Sequence, residues 1–218
     1  SVVAGEIPNH VNWTPCVRTW NTLLSGCMTQ GDIRRAKQFW LRMKKGGIEP
    51  DIVSYNTLLN CYVRSSNRRR KRLTNTSSIS RSQKGKECVE IQEMFEALFQ
   101  DPNVVPNQIT YLSMINFWLN QGSPERAELF LLNMTRHHQQ STQNDETIKK
   151  RVVLLPDRSL FHKVMTSWMR YKAPKKAEKL LLKMAEFSDD HGFDLRPTTE
   201  TYNRLLHCWA KSMKLESG

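Results

Sequence analysis

The chain has 218 residues and a formal net charge of +12, long enough to bury a sizeable core in one domain or two. No apolar run approaches the ~20 residues that a membrane-spanning helix needs. The five cysteines, Cys16, Cys27, Cys61, Cys88 and Cys208, form no Cys-x-x-Cys pair, which argues for a reducing compartment and against a disulfide frame or structural zinc.

Most of the charge is local. Residues 65–86, "SSNRRRKRLTNTSSISRSQKGK", hold eight basic residues and no acidic one, and subtracting them from +12 leaves +4 on the other 196. Because it begins with Ser1 instead of Met, the chain is expected to be an excised or processed segment, in which a targeting peptide would not appear.

Residues 1–16 read as a linker or the end of a preceding unit. From Val17 the apolar residues Trp20, Leu23, Leu24 and Cys27 fall at helical spacing. Gly31 suits the end of that helix and Asp32 the cap of the next. The second helix carries a small Ala36, which lets a neighbouring helix approach closely, and a Met43 that fills the gap beyond. Pro50 cannot continue a helix and closes the unit. Thirty-five residues after Trp20-Asn21-Thr22-Leu23-Leu24 the chain reads Tyr55-Asn56-Thr57-Leu58-Leu59, so the pattern is a repeat.

The aromatic before this Asn marks the series Trp20, Tyr55, Tyr111, Phe161 and Tyr202, with gaps of 35, 56, 50 and 41. Against a 35-residue unit the excess is 21, 15 and 6. Each excess falls on a polar stretch: the basic run at 65–86, a Gln/Asn-rich run near 136–153, and residues 187–194. Polar segments without apolar periodicity default to loops, and the first is expected to be a mobile surface loop between the helices of the second unit.

"GSPERAELFLLNM" repeats the turn grammar with Gly122, Ser123 and Pro124, and Ala127 and Met134 repeat the interval of Ala36 and Met43, as do Ala177 and Met184. The units are therefore 17–51, 52–107, 108–157 and 158–198, then a lone first helix at 199–213 and a tail at 214–218. Cys27, Cys61, Cys208 and the tryptophans Trp118, Trp168 and Trp209 lie in apolar patterns and belong to the core between helices. Single hairpins of this size cannot bury their apolar stripe alone, so the chain is an all-α solenoid of four stacked helical hairpins and a fifth first helix.

"VRTWNTLLSGCMTQGDIRRAKQFWLRMKKGGIEPD" (17–51) and "IVSYNTLLNCYV" (52–63) closely resemble the pentatricopeptide repeat. The later runs "QITYLSMINFWLNQGSPERAELFLLNM", "RSLFHKVMTSWMRYKAPKKAEKLLLKM" and "TETYNRLLHCWAKSM" resemble it more weakly. No Trp-x-x-Leu-Gly-x-x-Tyr run of the tetratricopeptide kind is present. The resemblance implies P-type repeats in a right-handed superhelix that binds single-stranded RNA, one base per repeat. It also implies an organelle, the mitochondrion with the chloroplast as alternative, and a role in RNA processing, stability or translation.

Base reading would fall to Asn21 with Asp51, a pairing that in the family prefers uracil, and to Asn56 with Asn107, which prefers cytosine over uracil. Asn203 has the right type in a truncated unit. Arg18, Val53 and Ile109 would stack on the bases. Such roles suit these side chains, since a carboxamide can both donate to and accept from a base edge. In the third unit Leu112 stands opposite Asp157 and cannot hydrogen-bond. The fourth pairs His162 with Thr198 and is flanked by Ser159 and Glu200. Two readable pockets give roughly 2–6 kcal/mol of discrimination, enough for a dinucleotide and too little for one transcript.

Arg68, Arg69, Arg70, Lys71 and Arg72 would attract RNA phosphates. His137 and His138 lack partners at metal-ligand spacing. The deaminase signature of His-x-Glu with Pro-Cys-x-x-Cys is absent. No catalysis, cofactor or membrane is expected. The competing expectation is a helical scaffold that binds protein within a ribonucleoprotein.

Overall fold

The computed structural model describes residues 15–73, 81–144, 156–191 and 195–213. Among these residues there are nine helices and no strand. They are α1 (Val17–Gln30), α2 (Ile33–Lys45), α3 (Ile52–Leu73), α4 (Arg81–Gln100), α5 (Gln108–Gln121), α6 (Pro124–Asn144), α7 (Arg158–Arg170), α8 (Pro174–His191) and α9 (Thr199–Met213).

The turns follow the sequence grammar. Gly31 at φ 60° and Gly122 at φ 80° take the left-handed conformation that ends α1 and α5, and their N–H groups meet carbonyls of the last turn. Asp32 caps α2 by accepting from the Arg35 N–H at 3.1 Å. Pro124 opens α6, a position where its missing N–H costs nothing. Between α7 and α8 no glycine is available, and Lys172 adopts φ 54° instead.

Packing explains the Ala and Met intervals. Ala36, Ala127 and Ala177 are fully buried, and so are Met43, Met134 and Met184. In α4 the same seven-residue interval holds Ile91 and Leu98, also fully buried. Where Ala stands, the paired helices α1–α2, α5–α6 and α7–α8 pack closely, whereas α3 and α4 touch sparsely. The extra bulk of Ile91 agrees with that wider spacing.

Successive first helices stack, α1 on α3 and α3 on α5. Beyond them α7 rests on α6 and α8, and α9 rests on α7 and α8. Three marker aromatics, Tyr55, Tyr111 and Phe161, are buried between helices, while Tyr202 of α9 is half exposed. Trp118 and Trp168 are core residues as expected, each covered by a cation eight residues on: Arg126 lies 4.2 Å from the Trp118 ring and Lys176 4.4 Å from the Trp168 ring. Trp168 also donates to Glu128 at 2.9 Å, and Lys183 pairs with the same carboxylate at 3.2 Å, joining α6, α7 and α8.

The three polar excesses are not loops in the way expected. Most of the basic segment extends α3 to Leu73 and starts α4 at Arg81; α6 runs on to Asn144 and α8 to His191. The middle of each of the first two excesses, at 74–80 and 145–155, lies outside the described residues, as do 192–194 in the third. A helix already nucleated and packed along one side adds a turn at little further entropic cost, and Arg and Lys are good helix formers. That is why a polar run without periodicity continues these helices. Arg68 is part of the packing: its guanidinium donates to the Thr29 carbonyl at 3.3 Å, and its stem lies against Gly31.

The left-handed Lys172 generates a test. A β-carbon costs about 1–2 kcal/mol in this conformation, partly offset by the greater freedom of glycine in the unfolded chain. Lys172→Gly is expected to stabilise by about 0.5–1 kcal/mol and raise the thermal midpoint by about 2 °C. Lys172→Ala, measured alongside by circular dichroism, should show no such gain; equal effects of the two would rule out the backbone explanation.

Candidate nucleic-acid interface

The starts of α3 and α5 build two similar polar sites. A helix start leaves its first N–H groups without intrahelical partners. At α3, Asp51 Oδ1 accepts from the Ser54 N–H at 2.8 Å, and the Asp51 N–H donates to Ser54 Oγ at 3.2 Å. At α5, Asn107 Oδ1 accepts from the Thr110 N–H at 3.2 Å, and the Asn107 N–H donates to Thr110 Oγ1 at 3.1 Å. Both are reciprocal caps, worth about 1 kcal/mol to the helix.

Each cap also reaches the preceding first helix. Asn21 Nδ2 donates to Asp51 Oδ1 at 3.0 Å, and Asn56 Nδ2 donates to Asn107 Oδ1 at 3.0 Å. The cap hydroxyls close the rings, Ser54 Oγ onto Asn21 Oδ1 at 2.5 Å and Thr110 Oγ1 onto Asn56 Oδ1 at 2.8 Å. Side chains 30 and 51 residues apart in sequence thus form single clusters, with Asn21, Asp51 and Asn107 half-buried and Asn56 buried.

Burial pushes the Asp51 carboxyl toward a higher pKa, but hydrogen bonds from the Ser54 N–H, the Asn21 amide and the Ser54 hydroxyl outweigh it. The net shift is downward and the group is charged at neutral pH. Val53 and Ile109, next to these caps, are each 52% exposed despite their apolar side chains, and Arg18 is exposed as well.

The third site differs. Asp157 turns back onto its own helix, accepting from the Ser159 N–H at 3.1 Å and from its hydroxyl. The cap-hydroxyl position is Leu160, fully buried, and Leu112 packs at the edge of the core. At the fourth, His162 Nε2 lies 2.8 Å from Thr201 Oγ1, which also accepts from the Thr198 N–H at 3.1 Å. Glu200 forms an ion pair with Arg204 at 2.7 Å. Asn203 is exposed. Arg68 is engaged with Thr29, while the side chains of Arg69, Arg70, Lys71 and Arg72 lie outside the described residues.

Sequence reasoning missed the hydroxyl members. A signal was present: the residue immediately before each marker aromatic is Ser54, Thr110 and Thr201 in the hydrogen-bonded sites, and Leu160 where the site is apolar.

Burial and the nearby Arg204 charge hold His162 below its ordinary 6.5. The folded state thus resists a proton that the unfolded chain accepts, so this group supports stability at neutral pH and withdraws it as pH falls through about 6.5. Denaturation midpoints should decline between pH 7.5 and 5.5, with a smaller decline for His162→Gln. Parallel pH profiles for the two proteins would contradict the shift.

The PPR repeat family matches residues 15–64. A pentatricopeptide repeat-containing protein of Arabidopsis thaliana is 20% identical over 97% of this chain, which spans 29% of that relative's length. Among solved structures, the pentatricopeptide repeat protein PPR10 in complex with an 18-nucleotide psaJ RNA element is 18% identical, with 92% of this chain and 28% of that one covered and a TM-score of 0.45. The same protein from maize is 17% identical over 94% and 38%, with a TM-score of 0.25. Neither superposition is close enough to bear on the geometry. The match to the PPR repeat family thus covers α1, α2 and the first part of α3.

Proposed function

We propose that this chain is a sequence-preferring module for single-stranded RNA that reads one base at Asn21–Asp51 and the next at Asn56–Asn107. The observation that carries this reading is the pair of interhelix polar clusters, each a carboxamide hydrogen-bonded at 3.0 Å to a closing Asp or Asn. Next to each stands an apolar side chain half exposed with nothing polar to gain from water, Val53 and Ile109. A base face can lie on such a plate while its edge meets the polar cluster.

Uracil suits the first cluster because Asp51 is ionised and its second oxygen can accept the base's N3–H. The basic run at 68–72 adds attraction for phosphates without base identity. The compartment that fits the resemblance is an organelle, the mitochondrion first, and the process is RNA processing, stability or translation. A protein-binding scaffold within a ribonucleoprotein is the second reading. It is favoured by the apolar third site, where Leu112 and Leu160 leave nothing to read a base edge.

Asn21→Thr tests the first reading. With Asp51 intact, preference at that one base should move from uracil toward guanine by about 1–3 kcal/mol, in competition between oligonucleotides differing only there. Because Asn21 makes two side-chain hydrogen bonds, a loss of about 1–2 kcal/mol in stability is expected as well. Identical ranking by wild type and variant would leave Asn21 a structural residue and the scaffold in front.

A further inference from the structure

The second helices α2, α4, α6 and α8 each lie against a first helix, and ion pairs cross two of the three seams between them. Across α2–α4, Lys37, the residue after Ala36, pairs with Glu90, the residue before Ile91. Across α6–α8, Glu128, the residue after Ala127, pairs with Lys183 at 3.2 Å, and Glu125 pairs with Lys176 at 3.7 Å. Across α4–α6 the corresponding positions are neutral. The residue after Ile91 is Gln92, which turns onto its own helix and donates to Glu96 at 2.9 Å. Asn133 stands in α6 where α8 has Lys183.

This seam opens into a groove of about 560 Å³. Its floor is aromatic: the Phe95 ring centroid lies 4.6 Å from Phe99, 4.7 Å from Phe130 and 6.1 Å from Tyr111. Phe99 is 38% exposed, and Leu129 on the α6 side is 53% exposed. Two helices with apolar side chains left bare between them present the kind of groove into which an amphipathic helix lays its apolar face.

The charge of the occupant follows from the same stretch of chain. From Glu87 to Glu125 there are six acidic residues and no Lys, Arg or His, although the whole chain is at +12. Glu90 and Glu125 are engaged in the ion pairs above, whereas Glu93 and Glu96 are exposed on α4, one turn apart. Arg126, the cation that lines the groove, is held 4.2 Å from the Trp118 ring. Exposed carboxylates repel RNA phosphates. A protein segment with cationic side chains around an apolar face is complementary in both charge and hydrophobicity.

We propose that the α4–α6 groove docks a basic amphipathic helix of a partner protein, with its apolar side chains on Phe99 and Leu129 and its cations against Glu96 and the adjacent Glu93. None of these residues belongs to the Asn21–Asp51 or Asn56–Asn107 cluster, so the surface stands or falls separately from the reading of RNA.

The test is binding of a fluorescein-labelled Leu/Lys amphipathic helix of about 18 residues to the whole chain, followed by anisotropy. A Leu/Glu helix of the same length and a Lys/Ser peptide of the same charge serve as references. The Leu/Lys helix should bind at least about tenfold more tightly than either. Leu129→Ser should weaken it about tenfold, and Leu129→Met should leave it within about threefold of wild type. The double variant Glu93→Gln, Glu96→Gln should weaken it about threefold and flatten its salt dependence. Affinity for an oligopyrimidine RNA should stay within about twofold in Leu129→Ser.

A Leu/Lys helix that binds no better than the references, or that binds Leu129→Ser as well as wild type, overturns the proposal. A loss of RNA affinity in Leu129→Ser assigns the groove to nucleic acid and overturns it as well. So does a dimer of the free chain that Leu129→Ser abolishes, which assigns the groove to a second copy.

Discussion

The unpaired N–H groups at the start of a first helix are the constraint around which this chain is organised. Each must find an acceptor, and in α3 and α5 the acceptor is a side chain, Asp51 or Asn107, that also receives a hydrogen bond from the first helix before it. One oxygen therefore both caps a helix and sets the register between neighbours. The net worth of each bond is only about 1 kcal/mol. Their value lies in direction, which the apolar packing of Leu24, Leu58, Leu59 and Ile115 behind them does not supply.

Where that arrangement is replaced, the stacking changes with it. At α7 the cap Asp157 is satisfied within its own helix, and the positions that would link it to α5 are Leu112 and Leu160. The row of first helices is close from α1 through α5, and α7 instead takes its main contacts from α6 and α8. An apolar pair can bury area without fixing direction, whereas the hydrogen-bonded clusters do both. The polar cleft that opens between α5 and α7, about 530 Å³ in volume, is lined by Asn116, Asn120, His162 and Arg170 among others.

A second row of links runs along the turns at the other end of the first helices. Arg68 of α3 reaches the Thr29 carbonyl, Gln121 of α5 reaches Ser66 at 3.1 Å, and the Tyr171 hydroxyl reaches the Gly122 carbonyl. Thr29 and Gly122 stand at the ends of α1 and α5, whereas Ser66 lies seven residues before the end of α3. The basic character of residue 68 is thereby partly structural: a cation beside the carbonyl end of α1 is favoured by the helix dipole.

The sequence by itself determined the repeat, the helical pairs and their turns, because these rest on short-range chemistry. Gly31 and Gly122 end helices through their own backbone freedom, Pro50 stops what precedes it, and the Ala–Met intervals declare which face is buried. It also named the four members Asn21, Asp51, Asn56 and Asn107, through resemblance and not through spacing. Only the tertiary structure decided that the polar excesses lengthen α3, α4, α6 and α8, since a weak local preference for loop yields to the low cost of extending a packed helix. The hydroxyl in each cluster was likewise invisible to periodicity. Ser54 and Thr110 look like ordinary first-turn residues until stacking brings Asn21 and Asn56 within hydrogen-bond reach, and a hydrogen bond depends on distance and angle, which no sequence spacing of 33 or 54 residues conveys.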